Sequence, residues 1–264
     1  TLFGPKMEAG DRTHNQKTLR MIAQMHKAIS IIQFKLEAEI IQRRPDFEME
    51  DRMLLHRIDF DKNVLVLDGQ EYALKDNFLP TVDPNAPYKL TAEEQEIMDK
   101  LHHSFVSSEK LKQHVKCIFR YGCMYTVSNS NLLFHASVPL NADGSLKEVR
   151  IAGKCYKGKA LLEKVGHLIR KAFFGEEENE DKKFARDYVW YLWCGKDSPA
   201  FDKAKMATFE RYFLDDEELH KEPKGHYYTL RNDEKICDMI LDEFGVIGEH
   251  RHIINRHVPV KTLK

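Results

Sequence analysis

Two short segments far apart in the chain share a pattern that constrains the fold more than any other feature. Residues 132–139 are Leu-Leu-Phe-His-Ala-Ser-Val-Pro, and residues 253–259 are Ile-Ile-Asn-Arg-His-Val-Pro. An apolar run of this length indicates a buried β-strand, and the proline prevents the strand from continuing as a paired ladder. His135 and His257 are therefore each expected where a rigid strand passes into a loop. Such a histidine is either a hydrogen-bonded strand-end residue or a metal ligand, since a ligand needs a neutral ring nitrogen held in a fixed direction.

Composition excludes several classes of protein. The chain has 264 residues, 42% of them hydrophobic, and a formal net charge of −1. Near-neutral charge argues against a general nucleic-acid or membrane-surface binder, and no apolar run approaches the length of a membrane span. Five scattered cysteines without a C-x-x-C motif favour reduced thiols in the cytoplasm. Because the chain opens on Thr1 and stops just after the second histidine segment, we expect an internal piece of a longer protein.

The first 122 residues are predicted to be mainly helical with one β-hairpin. Apolar residues recur every three to four positions over 13–44, which indicates an amphipathic helix ended by Pro45. Asp68-Gly69 between two apolar runs predicts a hairpin. The segment Thr91–Glu94 has the spacing of a capping box, so a second helix is expected toward residue 122, broken near residues 104–108.

Residues 123–264 are predicted to mix strands and helices, which makes the whole chain α+β. The interpretation rests on short apolar runs, turn residues and helix-stopping glycines. The expected elements are a β pair at 124–134, a hairpin at 148–156, a helix at 158–174, an acidic loop at 176–181, an aromatic strand or buried segment at 189–193, a helix at 232–244 and a strand at 253–254.

Two histidines cannot by themselves make a hydrolytic metal centre. A two-metal phosphoester site needs several carboxylates to bridge and charge-balance its ions, and the sequence has no aspartate set with the required tight spacing. If His135 and His257 are ligands, their acidic partners are expected outside this sequence. His252 is a candidate for supporting His257 by a hydrogen bond.

A basic set follows the loop at residues 195–199. Lys203, Lys205 and Arg211 are candidates for holding phosphate oxygens near a metal. The alternative is an ordinary solvated helix face. No catalytic residue is assigned from the sequence.

Several blocks of the chain together resemble the class III fructose-1,6-bisphosphatases, which are similar to the calcineurin-like metallophosphoesterases. The blocks cover almost the whole chain, and their combination is more specific than any one of them. They are residues 25–35, 103–111, 132–140, 193–199, 205–213 and 252–261.

The resemblance implies a metallophosphoesterase β-sandwich core with flanking helices in residues 123–264, and a mainly helical insertion in residues 1–122. It implies hydrolysis of the 1-phosphate of fructose 1,6-bisphosphate, in gluconeogenesis, by water activated at a two-metal Mn²⁺ site. His135 and His257 match the family's metal histidines. The expected partner is a small sugar phosphate, with no nucleic acid or membrane, and formation of a homo-oligomer is left open.

The chain also departs from the family pattern. Ala136 and Arg256 replace glycines expected beside the metal histidines, and the family's earlier metal motifs are absent, so the isolated chain is expected to be inactive. Two alternatives remain open. One is a metallophosphoesterase for another phosphoester, and the other is a catalytically dead binding or regulatory module.

Overall fold

The computed structural model describes residues 15–176 and 178–256, which divide into two compact units. The first unit comprises residues 15–107 and Ala207–Lys221, and the second comprises Ser108–Met206 and residues 222–256. None of the helices in these described ranges combines the length and apolarity needed to cross a lipid bilayer.

The described residues form eight α-helices and eight β-strands. The helices are α1 (Gln16–Arg43), α2 (Ala92–Ser107), α3 (Glu109–Tyr121), α4 (Gly158–Phe174), α5 (Glu180–Cys194), α6 (Thr208–Phe213), α7 (Tyr227–Leu230) and α8 (Glu234–Glu243). The strands are β1 (Ile58–Asp59), β2 (Val64–Leu67), β3 (Gln70–Ala73), β4 (Tyr125–Ser128), β5 (Asn131–His135), β6 (Val149–Ile151), β7 (Lys154–Tyr156) and β8 (His252–Arg256).

The first unit is built on the long helix α1. Asn15 caps it, since its side chain accepts a hydrogen bond from Thr18 N at 2.9 Å. The predicted start at Thr13 lies outside the described residues. The apolar face of α1 packs on an antiparallel sheet in the order β1-β2-β3. The predicted hairpin is confirmed, with Asp68 and Gly69 both at positive φ, as a tight turn between twisted strands requires.

The predicted capping box at the start of α2 is also confirmed. Thr91 N–H donates to Glu94 Oε2 at 2.9 Å, and Glu94 N–H donates to Thr91 Oγ1 at 3.2 Å. The predicted break in the helix falls at Ser108, whose side chain caps α3.

The two units differ from the predicted division after residue 122 in two respects. Helix α3 belongs to the second unit, where the Phe119 ring lies 5.1 Å from the Phe173 ring of α4. The segment Ala207–Lys221 belongs to the first unit, because Phe209 on α6 packs against Phe34 with ring centres 5.5 Å apart. Packing of a late segment onto an early helix cannot be read from local periodicity.

The second unit contains the sheet that carries His135. Strands β4 and β5 are antiparallel and joined by a turn in which Asn129 and Ser130 have φ of 50° and 59°. Strand β8 pairs with β5 in parallel. Leu132 and Phe134 point into a core shared with α8. The hairpin predicted at 148–156 and the helix predicted at 158–174 are both confirmed.

Two predictions for the second unit need correction. Residues 189–193, predicted to be an aromatic strand or buried segment, are the end of helix α5 and not a strand. Tyr188, Tyr191 and Leu192 are buried while Val189 and Trp193 are exposed, a helical pattern that the aromatic composition concealed.

The acidic run at 176–181 is only partly a loop. Glu180 and Asp181 form the first turn of α5, where negative charge stabilises the helix N-terminus. Glu178, which precedes that turn, accepts hydrogen bonds from Lys182 and Arg186 of α5. These acidic residues start a helix because their charges complement its dipole.

The predicted α+β class is confirmed at the level of mixed helices and small sheets. The described residues form sheets of three, three and two strands. A calcineurin-like β-sandwich core remains a prediction. None of the five cysteines, all within described residues, forms a disulfide.

Candidate functional site

The candidate site lies at the carboxyl end of strand β5. His135 is the last residue of that strand, and its side chain is exposed. The parallel register pairs His135 with Arg256, the residue that directly precedes His257 in the sequence. Neighbouring strands lie about 4.8 Å apart, so the backbone leading to His257 runs beside His135. His257 itself lies outside the described residues, and the convergence of the two rings remains a prediction.

The turn after His135 has an unusual backbone conformation. Ala136 has φ 59° and is fully buried. Its carbonyl accepts a hydrogen bond from Asn255 Nδ2 at 2.9 Å, which joins the turn to strand β8. Glycine occupies this left-handed region without steric cost. The conformation therefore suits the glycine expected here from the family resemblance, and Ala136 adopts it at some cost in strain.

His135 opens onto a cavity of about 490 Å³ within the second unit. Its wall is mostly apolar and comes mainly from α5 and the loop that follows it, with Phe119 of α3 and Ile169 of α4 completing it. Trp193, Phe201, Lys203 and Met206 line the cavity together with His135.

Of the predicted phosphate-binding residues, the structure brings only Lys203 to the cavity that His135 lines. Its ammonium lies 2.7 Å from Glu222 Oε2 and 5.3 Å from the centre of the Phe201 ring. Lys205 is half-buried and is not among the residues lining this cavity. Arg211 is on α6 in the first unit, where its guanidinium donates to the His220 carbonyl at 3.0 Å.

His252 lies at the other end of the strand pair from His135. It is paired with Asn131, and its N–H donates to the Ser130 carbonyl at 3.1 Å. Four residues along a strand separate it from Arg256, which corresponds to about 13 Å. The register therefore separates His252 from the edge that carries His135.

Comparison with known proteins identifies the family. The sequence model of the Firmicute fructose-1,6-bisphosphatase family matches residues 1–264. The chain belongs to this family.

Individual relatives of the chain agree with that assignment. The class 3 fructose-1,6-bisphosphatase of Phocaeicola vulgatus is 78% identical over 265 residues, which cover 100% of this chain and 40% of the relative. The Bacteroides fragilis protein of the same name is 64% identical over 264 residues, with the same shares. The Clostridium acetobutylicum protein is 53% identical over 260 residues, covering 98% of this chain and 39% of the relative.

The chain thus spans about 40% of the length of these relatives. No solved structure gives a significant match to it. The predicted resemblance to class III fructose-1,6-bisphosphatases is confirmed.

The described part of the chain does not by itself fit a metal centre. Within residues 15–176 and 178–256, no group of three or more His, Cys, Asp or Glu side chains is arranged to hold an ion. His135 supplies one exposed imidazole, and a two-metal site requires several carboxylates in addition.

Sequence reasoning missed two buried polar residues behind this site, Ser137 and Asp202. The two residues are 0% and 5% exposed. Burial raises the pKa of the Asp202 carboxyl, and the Ser137 hydroxyl opposes this rise. No local motif marks either residue, because their burial depends on segments far apart in the chain.

Proposed function

We propose that this chain is part of a fructose-1,6-bisphosphatase that hydrolyses the 1-phosphate of fructose 1,6-bisphosphate to fructose 6-phosphate in gluconeogenesis, in the cytoplasm. Family membership supports the proposal, as does the 78% identity to a relative named for this activity. The structural observation that carries it is the parallel pairing of β5 and β8, which sets His135 beside the backbone leading to His257.

His135 and His257 are proposed as metal ligands. A neutral imidazole at a strand end offers a nitrogen in a direction fixed by the sheet. A bound pair of Mn²⁺ ions would supply an activated water and a polarised phosphoryl group. The described residues contribute one imidazole and no carboxylate set. The remaining ligands are therefore assigned to sequence that corresponds to the part of the relatives not covered by this chain.

Lys203 is the basic residue best placed for a substrate phosphate. It shares the cavity with His135, and it would have to exchange its ion pair with Glu222 for a phosphate oxygen. Lys205 and Arg211 stay weaker candidates, because neither lines that cavity.

The test is a chimera in which the matching 265 residues of the Phocaeicola vulgatus relative are replaced by this chain. Phosphate release from fructose 1,6-bisphosphate is measured with Mn²⁺, together with a panel of other phosphoesters. We expect the chimera to hydrolyse fructose 1,6-bisphosphate, and we expect no appreciable turnover from the 264-residue chain alone. A folded chimera that prefers another phosphoester would replace the proposed substrate.

Point variants of the chimera test the ligands. His135→Ala and His257→Ala are expected to abolish turnover and to reduce Mn²⁺ uptake in calorimetry. The matched control is His102→Ala, which removes an exposed histidine on α2. Full activity in the His135→Ala chimera would refute the ligand role, and a chimera without Mn²⁺ uptake or turnover would favour the dead binding module.

A further inference from the structure

We propose that Asn255 is a positioning residue for His135, because its side-chain amide ties the turn that directly follows His135 to strand β8. The relevance of this role to catalysis rests on the function proposed above. The structural claim depends only on the second unit, which contains both residues.

The chain leaves strand β5 and enters the protein interior directly after His135. Strand β5 ends at His135, and Ala136 at φ 59° changes the direction of the backbone. Ala136, Ser137 and Val138 are each 0% exposed. A buried peptide group that has left a β-sheet still needs a hydrogen-bond partner. The turn therefore requires donors and acceptors from other parts of the unit.

Two segments from distant parts of the sequence supply such partners. Ser137 N–H donates to the carbonyl of Pro199, in the loop after α5, at 3.1 Å. The Ala136 carbonyl accepts from Asn255 Nδ2 at 2.9 Å, the ordinary length of an N–H···O hydrogen bond. The turn is thus held both by that loop and by strand β8.

Asn255 occupies a position in β8 that the strand pattern would give to an apolar residue. It pairs with Phe134 in the parallel register, and Phe134 is buried in the core. Directly paired residues of neighbouring strands project from the same face of a sheet. Ile253 packs against the same core, whereas Ile254 is 51% exposed. An amide at a core-facing position lowers stability unless it is hydrogen-bonded, so the bond to the Ala136 carbonyl accounts for Asn255.

The backbone of His135 is consequently held to β8 at two successive points. His135 itself pairs with Arg256 in the ladder. The turn after it is tied to the same strand by Asn255. His257 directly follows Arg256 in the sequence. Asn255 therefore couples the position of His135 to the strand that leads to the second candidate histidine.

The experiment observes the Ala136 carbonyl by NMR in the 264-residue chain. Ala136-Ser137 is the one Ala-Ser pair in the sequence, so carbonyl-labelled alanine with ¹⁵N-labelled serine gives a single peak that reports this carbonyl. Asn255→Ala should move its ¹³C resonance upfield, because the carbonyl loses a donor, and should shift the His135 ring resonances. Asn255→Asp keeps the shape of the side chain but removes the donor, and it should produce the same upfield shift.

The matched control is Asn131→Ala on β5. The Asn131 amide donates to the Asn129 carbonyl at 2.8 Å, in the turn at the other end of the same sheet. This variant also removes an asparagine hydrogen bond, and it should leave the Ala136 carbonyl and the His135 ring unchanged. A wild-type carbonyl resonance in Asn255→Ala or Asn255→Asp would overturn the proposal, and so would an equal shift in Asn131→Ala.

A measurement on the wild-type chain decides the case in which both Asn255 variants fail to fold. The side-chain amide of Asn255 should exchange with heavy water about fivefold more slowly than that of the exposed Asn232, the factor that one net hydrogen bond contributes. Equal exchange rates at the two amides would contradict the hydrogen bond and the proposal with it.

The chimera tests the link to catalysis. Asn255→Ala is expected to lower kcat about tenfold or more with little change in KM, because substrate still binds while His135 is misplaced. Asn131→Ala should retain the kcat of the parent chimera. An unchanged kcat in a folded Asn255→Ala chimera would overturn the positioning role. An inactive parent chimera would refute the proposed function, and the carbonyl measurement would still decide the structural claim.

Discussion

The buried ion pair between Lys35 and Glu94 gives a quantitative test of how the first unit is held together. Lys35 Nζ lies 2.7 Å from Glu94 Oε2, and the two side chains are 0% and 6% exposed. The ammonium also donates to the Thr81 carbonyl, and the carboxylate completes the capping box with Thr91. The pair therefore links α1 to the start of α2.

Glu94→Ala should be strongly destabilising. It leaves the Lys35 ammonium buried, with the Thr81 carbonyl as its remaining acceptor among the described residues. Breaking one side of a buried pair costs about 3–5 kcal/mol, and loss of the cap adds about 1 kcal/mol. The double variant Lys35→Met/Glu94→Gln replaces both charges with neutral side chains of similar size. It should lie within about 1 kcal/mol of wild type.

The assay is urea unfolding followed by far-UV circular dichroism and by hydrogen exchange of α1 amides. Tryptophan fluorescence does not suit this purpose, since Trp190 and Trp193 both lie in the second unit. With a slope of about 2 kcal/mol per molar urea, Glu94→Ala should lower the midpoint by about 2–3 M. As a control, Glu96→Ala breaks an exposed pair on α2 and should cost less than about 0.5 kcal/mol. A loss below about 1 kcal/mol in Glu94→Ala, or a double variant as unstable as Glu94→Ala, would refute this account.

Three further predictions concern the second unit. Because burial raises the pKa of Asp202, the folded state keeps that proton at pH values where the unfolded chain has lost it. The free energy of unfolding of the wild type should therefore fall relative to that of Asp202→Asn as pH rises from about 4 to the folded pKa. Urea unfolding at several pH values measures this difference. A difference between the two proteins that does not change with pH would contradict the buried carboxyl. Ala136→Val places a β-branched residue at φ 59° in a buried turn and should lower the free energy of unfolding by about 2 kcal/mol or more. Ala136→Gly should stay within about 1 kcal/mol of wild type. Thermal melting midpoints of the two variants test this, and equal midpoints would contradict it. Ser130→Gly creates Asn-Gly at two positive φ angles and should stabilise the chain by about 0.5 kcal/mol or more, and a lower urea midpoint would show that the serine side chain contributes more than the relief of strain.

Local signals in the sequence predicted local structure well. The hairpin at Asp68-Gly69, the β pair at 124–134 and the Thr91 capping box all depend on residues close to one another in the sequence. Their outcome is decided by backbone sterics and short-range hydrogen bonds. These elements were therefore predicted from the residues themselves.

Features that depend on distant contacts were not predicted. The sequence predicts a strand or buried segment at the end of α5 because Trp190, Tyr191 and Trp193 have high β propensity. Packing against α4 overrides that propensity. Return of α6 to the first unit depends on burial of Phe209 and Phe213 against α1. Predicting either feature requires knowing which helices pack against each other.

The candidate site was predicted in part. The strand ends at residues 135 and 256 were placed close to their observed positions, but the parallel pairing of β5 with β8 was not foreseen. Asp202 was missed because its environment is assembled from Ser137, Ser198 and Gly225, which lie on three separate segments. Proximity in space without proximity in sequence has no local signature.

The pairing of β5 with β8 has a kinetic consequence. The hydrogen bond from Asn255 to the Ala136 carbonyl joins residues 119 positions apart. Closing so long a loop is entropically unfavourable until the intervening helices have docked. The edge that carries His135 should therefore be among the last parts of its unit to mature during folding. Slow refolding intermediates would then contain helices α4 and α5 before β8 has paired with β5 at His135.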